Sequence, residues 1–271
     1  MAVEVISGRK TGIRYGGEGE PAVLLHCSLA HSGAWAGVMA GLADRLAMVA
    51  IDLPGHGATE FDPAQDIQDQ ACETTIAVLE RMEAPAHLIG HSFGATVALR
   101  CAVERPDLVA SVSMYEPVYF SLLAAGNPDA YAQEMKDAEA FAKHLLASEW
   151  QQAAEAFLNR WGSHGGFQVM PEAQQQYMLK TIPMILENTH SVIEDRVGPV
   201  TLQNIRQLDM PCLLMEGGRS PESIRLLNDL LEAALPSVQR RVFETTGHMG
   251  PLSHAPEFAR VVRGFLFADD A

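Results

Sequence analysis

Cations are scarce in this 271-residue chain: 19 Lys and Arg stand against 34 Asp and Glu, for a formal net charge of −15. A surface so poor in positive charge is the wrong one for phosphates, which argues against nucleic acid as a partner. The acidity reads instead as a solubility device. Long apolar runs are missing too, and none approaches the ~20 residues that cross a bilayer. Met1-Ala2-Val3-Glu4-Val5 has neither the basic stretch nor the apolar core of a signal peptide. Cysteine is limited to Cys27, Cys72, Cys101 and Cys212, scattered without a Cys-x-x-Cys pair or metal-ligand spacing. Isolated cysteines usually serve as small buried hydrophobes. A cytoplasmic protein without disulfides and without membrane attachment is expected. No glycine-rich phosphate loop follows a strand. His87 and His91 are four apart on an expected strand but have no carboxylate beside them, so no metal site is expected. The expectation is therefore a small-molecule substrate and no cofactor.

What is present suffices for a large core, since 48% of residues are hydrophobic. Short apolar segments alternate with amphipathic ones. Ala22–His26, Ala47–Ile51, His87–His91, Val109–Tyr115, Cys212–Met215 and Val238–Phe243 read as strands. Ile67, Ala71, Thr74, Val78 and Met82 share one helical face, as do Leu227, Leu230, Leu231 and Ala234. Val3–Tyr15, punctuated by Gly8, Gly16 and Gly17, reads as an antiparallel hairpin at a sheet edge. The alternation predicts an α/β fold: a mostly parallel twisted sheet with helices on both faces.

Residues 118–206 break this rhythm. They offer no convincing strand and read as helices rich in Ala, Gln, Glu and Met, broken at Pro128, Gly162, Gly165-Gly166, Pro171, Pro183 and Gly198-Pro199. The economical division is a core of residues 1–117 and 207–271 with 118–206 as a helical cap. The cap's apolar side chains, Trp150, Trp161 and Met184 among them, are expected to shape the pocket.

Gly90-His91-Ser92-Phe93-Gly94 matches Gly-x-Ser-x-Gly. The pattern alone is common, but here it follows an apolar strand and opens a helix, Ala95 to Val103. That is the sharp turn that lifts a serine hydroxyl clear of a sheet. A helix N-terminus under Ser92 favours developing negative charge. Serine needs a base, and Thr246-Gly247-His248-Met249-Gly250-Pro251 supplies His248 after the last expected strand. His91, although adjacent, is directed elsewhere by the turn that exposes Ser92. Acyl transfer also needs oxyanion donors. The Phe93 N–H is one, and the loop His26-Cys27-Ser28-Leu29-Ala30 offers the Ser28 N–H as the other. The Ser28 hydroxyl is read equally well as a cap for the following helix.

With these motifs the chain resembles the α/β-hydrolase superfamily. Asp52-Leu53-Pro54-Gly55-His56-Gly57 matches a turn common after its fourth strand. His26 with Trp35 resembles its His-Gly-x-Pro…Trp loop, with Cys27 at the usual glycine. Pro211–Met215 through Gly247-His248 to Pro256-Glu257-Phe258 also fits. The resemblance implies structural roles for Asp52 and His56. It also exposes one departure. The family commonly keeps its acid after the seventh strand in Gly-x-x-Asp-Pro, whereas this chain reads Gly217-Gly218-Arg219-Ser220-Pro221. Members similar to haloalkane dehalogenases and some lipases carry the acid after the sixth strand, and Glu116 in Met114-Tyr115-Glu116-Pro117 stands there. Glu216 and Glu222 are its rivals. Serine at the nucleophile position argues against the dehalogenase and epoxide hydrolase chemistries, which the family runs with aspartate.

The expectation is a serine hydrolase acting through an acyl-enzyme on a small or medium, mainly apolar ester, lactone or thioester. Carbon–carbon bond hydrolysis of a diketone, and a non-catalytic ligand sensor on the same fold, are the alternatives.

Overall fold

The computed structural model describes residues 1–162, 166–194 and 198–267. Gly165, one of the expected helix breaks, lies outside them. Eight strands form one sheet: β1 (Ala2–Ile6), β2 (Arg9–Gly16), β3 (Glu20–Leu25), β4 (Leu46–Ile51), β5 (Ala86–His91), β6 (Val109–Tyr115), β7 (Cys212–Gly217) and β8 (Val238–Phe243). Their order is β1-β2-β4-β3-β5-β6-β7-β8. The β1–β2 and β2–β4 pairs are antiparallel, and all others are parallel. The expected edge hairpin is present, and Ser7 and Gly8 at its turn both take positive φ (49° and 76°), as tight two-residue hairpins require.

The strand sequences follow from their positions. Central β5 (Ala-His-Leu-Ile-Gly-His) is buried at all six residues, because a parallel strand with helices on both faces has no wet side. Edge strand β8 instead carries Gln239, Arg240 and Arg241, charges and amides that discourage edge-to-edge pairing.

Helices α1 (Ala36–Leu42), α2 (Ile67–Leu79) and α3 (Phe93–Glu104) follow β3, β4 and β5 in turn. Between β6 and β7 the described residues contain no strand; besides two short 3-10 turns (Phe120–Leu122 and Phe167–Val169) they form α4 (Leu123–Gly126), α5 (Pro128–Leu146), α6 (Trp150–Trp161), α7 (Glu172–Thr181), α8 (Met184–Val192) and α9 (Leu202–Ile205). Helix α10 (Glu222–Ala234) joins β7 to β8, and α11 (Gly250–Ser253) and α12 (Ala255–Leu266) follow β8. On one sheet face Trp35, Val38, Leu42, Phe258 and Val262 pack against Leu24, Ile89 and Met215. On the other, α2, α3 and α10 supply Ile67, Ala71, Val97, Leu227 and Leu231 against Leu25, Leu88 and Leu214.

Helix α2 is shorter than its apolar spacing predicts. It ends at Leu79, and the amides of Arg81 and Met82 turn back to Val78 and Leu79 in tightened i→i+3 bonds. Pro85 disfavours helix in the residue before it, which stops the pattern from running on. Met82 still packs against the core, outside the helix.

Chain order reverses around β3: α1 leads outward to β4, whereas β5 and the later strands lie on the opposite side. The carboxyl ends of β3 and β5 therefore adjoin at a switch point, where a crevice opens in sheets of this kind. Gly94 makes the approach there possible. A Cβ on it would sit 2.1 Å from the Leu25 carbonyl oxygen, which is backbone and has nowhere to move. Gly94→Ala is expected to cost about 3 kcal/mol, the upper end of overpacking against rigid neighbours, read as a fall in the urea midpoint. An unchanged midpoint would mean that α3 is free to shift away from β3.

Candidate active site

Ser92 follows β5 directly and caps α3 with φ 55° and ψ −120°. Such a conformation costs on the order of 1–3 kcal/mol for a residue with a Cβ and persists only where the surroundings fix it. They do: the Ser92 amide donates to the Tyr115 carbonyl at 2.9 Å, and its carbonyl accepts from Thr96 at 3.0 Å. Five non-glycine residues among those described have positive φ, and three of them, Leu29, Ser92 and Glu116, lie at this end of the sheet.

Glu116 follows β6 and is wholly buried. Its Oε2 lies 2.6 Å from His248 Nδ1. Its Oε1 accepts from the Gly217 amide at 2.7 Å and from the Ser220 hydroxyl at 2.5 Å. Ser220, at the position where the resemblance implies an aspartate, thus donates to the Glu116 carboxylate. The rivals are occupied elsewhere. Glu216 turns toward α10, taking Arg240 at 2.7 Å and Asn228 at 2.8 Å. Glu222 is on the surface beside Arg225.

The loop that carries His248 is held by its backbone. His91 Nε2 donates to the His248 carbonyl at 2.7 Å, and the Tyr115 hydroxyl to the Gly247 carbonyl at 2.8 Å. Burial, then the neighbouring His248, drives the His91 pKa well below its usual value, so it is a neutral strut and not a second base. Neither Tyr115 nor this use of His91 was evident from sequence. Tyr115 reads as one more apolar strand residue, and only contacts more than 130 positions away give it a task.

Below the other side of the crevice sits a buried polar cluster. Asp52 accepts from the amides of Ser32 (2.6 Å) and Ala58 (2.9 Å). Burial alone would raise its pKa, but these amides outweigh it and hold the carboxyl below the usual range. His26 Nδ1 donates to the Cys27 carbonyl, and its Nε2 accepts from the Leu53 amide. His56 Nδ1 donates to the Pro54 carbonyl, and its Nε2 accepts from the Leu29 amide at 3.0 Å. Asp52 and His56 are thus turned inward, away from the serine. Burial takes His26 down to about 3 and His56 to about 4.

Ser28 and Phe93 both line a cavity with Ser92 and His248. Phe93 opens α3, so its N–H has no acceptor within the helix. The Ser28 N–H bonds to no other described residue. The Ser28 hydroxyl is not a helix cap; His31 caps the turn Ser32–Trp35, and the hydroxyl accepts from Asn188 Nδ2 at 2.8 Å. That partner is 160 positions away, and no local signal points to it.

Two cavities meet here. An inner one of about 500 Å³ runs under α5, α6 and α8, and an outer one of about 840 Å³ lies between α7 and the loop after β3. Ser28, Ser92, Phe157, Trp161 and His248 line both. The Trp161 ring is centred 4.7 Å from that of His248. Trp150 and Met184, expected beside it, line neither cavity. Trp150 is 38% exposed, and Met184 lies over Gly55, where an added Cβ would meet its sulfur at 2.4 Å. The described residues hold no cluster of three or more His, Cys, Asp or Glu able to bind a metal.

Comparison with known proteins agrees with the fold. Residues 22–261 match the model of the Alpha/beta hydrolase family, and the chain belongs to that family. It is 28% identical over 260 residues to the pimeloyl-[acyl-carrier protein] methyl ester esterase of Methylococcus capsulatus, covering 94% of this chain and 97% of that one. It is also 28% identical to a 2-hydroxymuconate semialdehyde hydrolase from a Pseudomonas species, covering 98% and 94%. Among solved structures, a Bacillus subtilis carboxylesterase superposes with a TM-score of 0.74 at 19% identity, covering 98% and 91%; at that identity the likeness speaks for the fold.

His26, His56 and His91 set an acid limit. Burial lowers the pKa of all three, so each gains its proton on unfolding and the unfolded chain binds more protons below about pH 6.5. Stability is expected to fall from pH 6.5 toward 4, by about 1.4 kcal/mol per pH unit for each such histidine. Urea unfolding across this window checks it, with a shallower slope in His56→Asn. Equal slopes would mean that His56 is protonated in the folded protein.

Proposed function

We propose that the protein is a serine carboxylic ester hydrolase of the cytoplasm. The observation that carries the reading is the 2.6 Å contact between a wholly buried Glu116 and His248, opening onto the cavity that holds the strained Ser92. A carboxylate on Nδ1 fixes the tautomer whose free Nε2 faces outward as a base and stabilises the imidazolium that forms. Ser92 Oγ then attacks the ester carbonyl while His248 Nε2 takes its proton. The Phe93 and Ser28 amides receive the oxyanion, and the field of α3 adds to them. His248 returns the proton to the departing alcohol, leaving an acyl-enzyme. Water, deprotonated by the same imidazole, releases the acid.

Residues 118–206 act as a helical cap on a core of 1–117 and 207–271. The inner cavity supports a small or medium acyl group, being in the usual range for such ligands and lined by Val118, Phe120, Phe141, Phe157, Ile185 and Val192. The relatives named as methyl ester esterases support ester cleavage. Four free, buried thiols support a reducing compartment. A second reading, carbon–carbon cleavage of a diketone by the same residues, rests on the likeness to a semialdehyde hydrolase. A ligand sensor has no use for a strained serine beside a buried acid–imidazole pair.

A series of p-nitrophenyl esters of rising chain length, set beside a coloured ring-fission diketone, separates ester from carbon–carbon cleavage. Ser92→Ala is expected to abolish turnover and labelling by a fluorophosphonate probe while remaining folded. Full activity in that variant would sink the acyl-enzyme. Glu116→Gln is expected to lose ~10⁴-fold in turnover, the scale of a lost triad carboxylate. Glu216→Gln and Glu222→Gln should turn over normally, because their carboxylates bond Arg240, Asn228 and Arg225 and not His248. A normal rate in Glu116→Gln would remove that carboxylate from the mechanism.

A further inference from the structure

The loop after β3 has a conformation that its own sequence does not favour. Leu29 sits at φ 62°, in the region where a side chain is strained. Within the loop only the Ala30 amide turns back, to the Cys27 carbonyl at 3.3 Å. His26 Nδ1 holds the Cys27 carbonyl at the loop's start, and the restraints on Ser28, Leu29 and the Ala30 carbonyl come from outside. From the core, His56 Nε2 accepts from the Leu29 amide. From the roof, the Tyr177 hydroxyl of α7 donates to the Ala30 carbonyl at 2.7 Å and accepts from the Gly57 amide at 2.9 Å. Also from the roof, Asn188 of α8 donates to the Ser28 hydroxyl at 2.8 Å.

Asn188 is an expensive residue for this place. It is 5% exposed, and its Oδ1 is buried without a partner among the described residues. An apolar side chain would remove that desolvation penalty. The single bond made by Nδ2 is what the amide contributes. Helix α8 is itself seated on the core, since the Ser191 hydroxyl reaches both oxygens of Asp66, the cap of α2, at 3.0 and 2.9 Å. Asn188 is thus a fixed arm, and Ser28 hangs from it.

We propose that Asn188 and Tyr177 are positioning residues that aim the Ser28 amide from the roof, so that the oxyanion site is complete only when α7 and α8 are seated. The proposal rests on the reading of Ser28 as an oxyanion donor. Its effect belongs to the transition state. A donor displaced by a fraction of an ångström still admits the substrate carbonyl but holds the oxyanion poorly.

The test uses the full-length protein, with active sites counted by fluorophosphonate titration so that misfolded molecules drop out. Asn188→Ala is expected to lower kcat on p-nitrophenyl butyrate by about 10–100-fold with KM nearly unchanged. It should weaken inhibition by a trifluoromethyl ketone of the same chain length by a similar factor, because that adduct carries an oxyanion. Tyr177→Phe should do the same to a smaller degree. Ser28→Ala keeps the amide but removes the acceptor, so it should match Asn188→Ala, and the double variant should be no slower than either. A rise in KM with kcat intact, or additive losses in the double variant, would overturn the proposal. Hydrogen exchange at the Leu29 amide gives a second reading that needs no ester chemistry. It should quicken in Asn188→Ala and Tyr177→Phe, and unchanged exchange overturns the clamp. If exchange quickens while the wild type cleaves no ester, the clamp stands and the hydrolase reading fails instead.

Discussion

A carboxylate with no exposed surface needs donors in place of its hydration, and Glu116 has three. Two of the three are fixed by the end of β7, and the third is the imidazole of His248. The same residue takes a positive φ and passes its own amide to the Met215 carbonyl at 2.9 Å, so β6 and β7 are tied at the point where the acid turns inward. Removing it would leave an unpaired hydroxyl, an unpaired amide and a histidine without a fixed tautomer. The strained elbow depends on this region as well, since Ser92 is held by the carbonyl of Tyr115, the residue before Glu116.

Much of this arrangement is legible in the chain. The strands of a parallel sheet are short apolar runs, and six were identified to within a few residues; in five of them burial on both faces leaves no other composition, while edge strand β8 keeps polar residues. The elbow and His248 are legible because each lies in a short glycine-bearing turn next to a strand. Glu116 is legible only through the resemblance, as a carboxylate standing where related proteins keep one. Long-range polar contacts were not. Asn188, Tyr177 and Tyr115 act through bonds spanning 160, 147 and 132 positions, and no periodicity in composition encodes such pairings. The roof resisted for a related reason. Its apolar residues divide between filling small clusters of their own and lining the cavities, and helical spacing is the same for both uses. Trp161 lines the site while Trp150 faces outward, from opposite ends of one helix.

The two cavities give the site its character. A chain with one closed pocket holds one arm of an ester and leaves the other in water. Here Phe157 and Trp161 line both spaces, together with Ser28, Ser92 and His248. The inner space is not uniformly apolar. Arg160 lies over the Trp161 ring and bonds Glu134 and Asp137, all three facing the same space. The paired side chains brace one another and stiffen that wall.

The hydroxyl of Ser220 bears on how such a site changes over generations. An aspartate there would bring a second carboxylate within bonding distance of the first, since the serine oxygen already lies 2.5 Å from Glu116 Oε1. Two carboxylates so close disfavour each other's ionised form, and the imidazole would share its partner with a second acid. Moving the acid from the end of β6 to the end of β7 therefore takes paired changes at Glu116 and Ser220, although the two positions are one hydrogen bond apart.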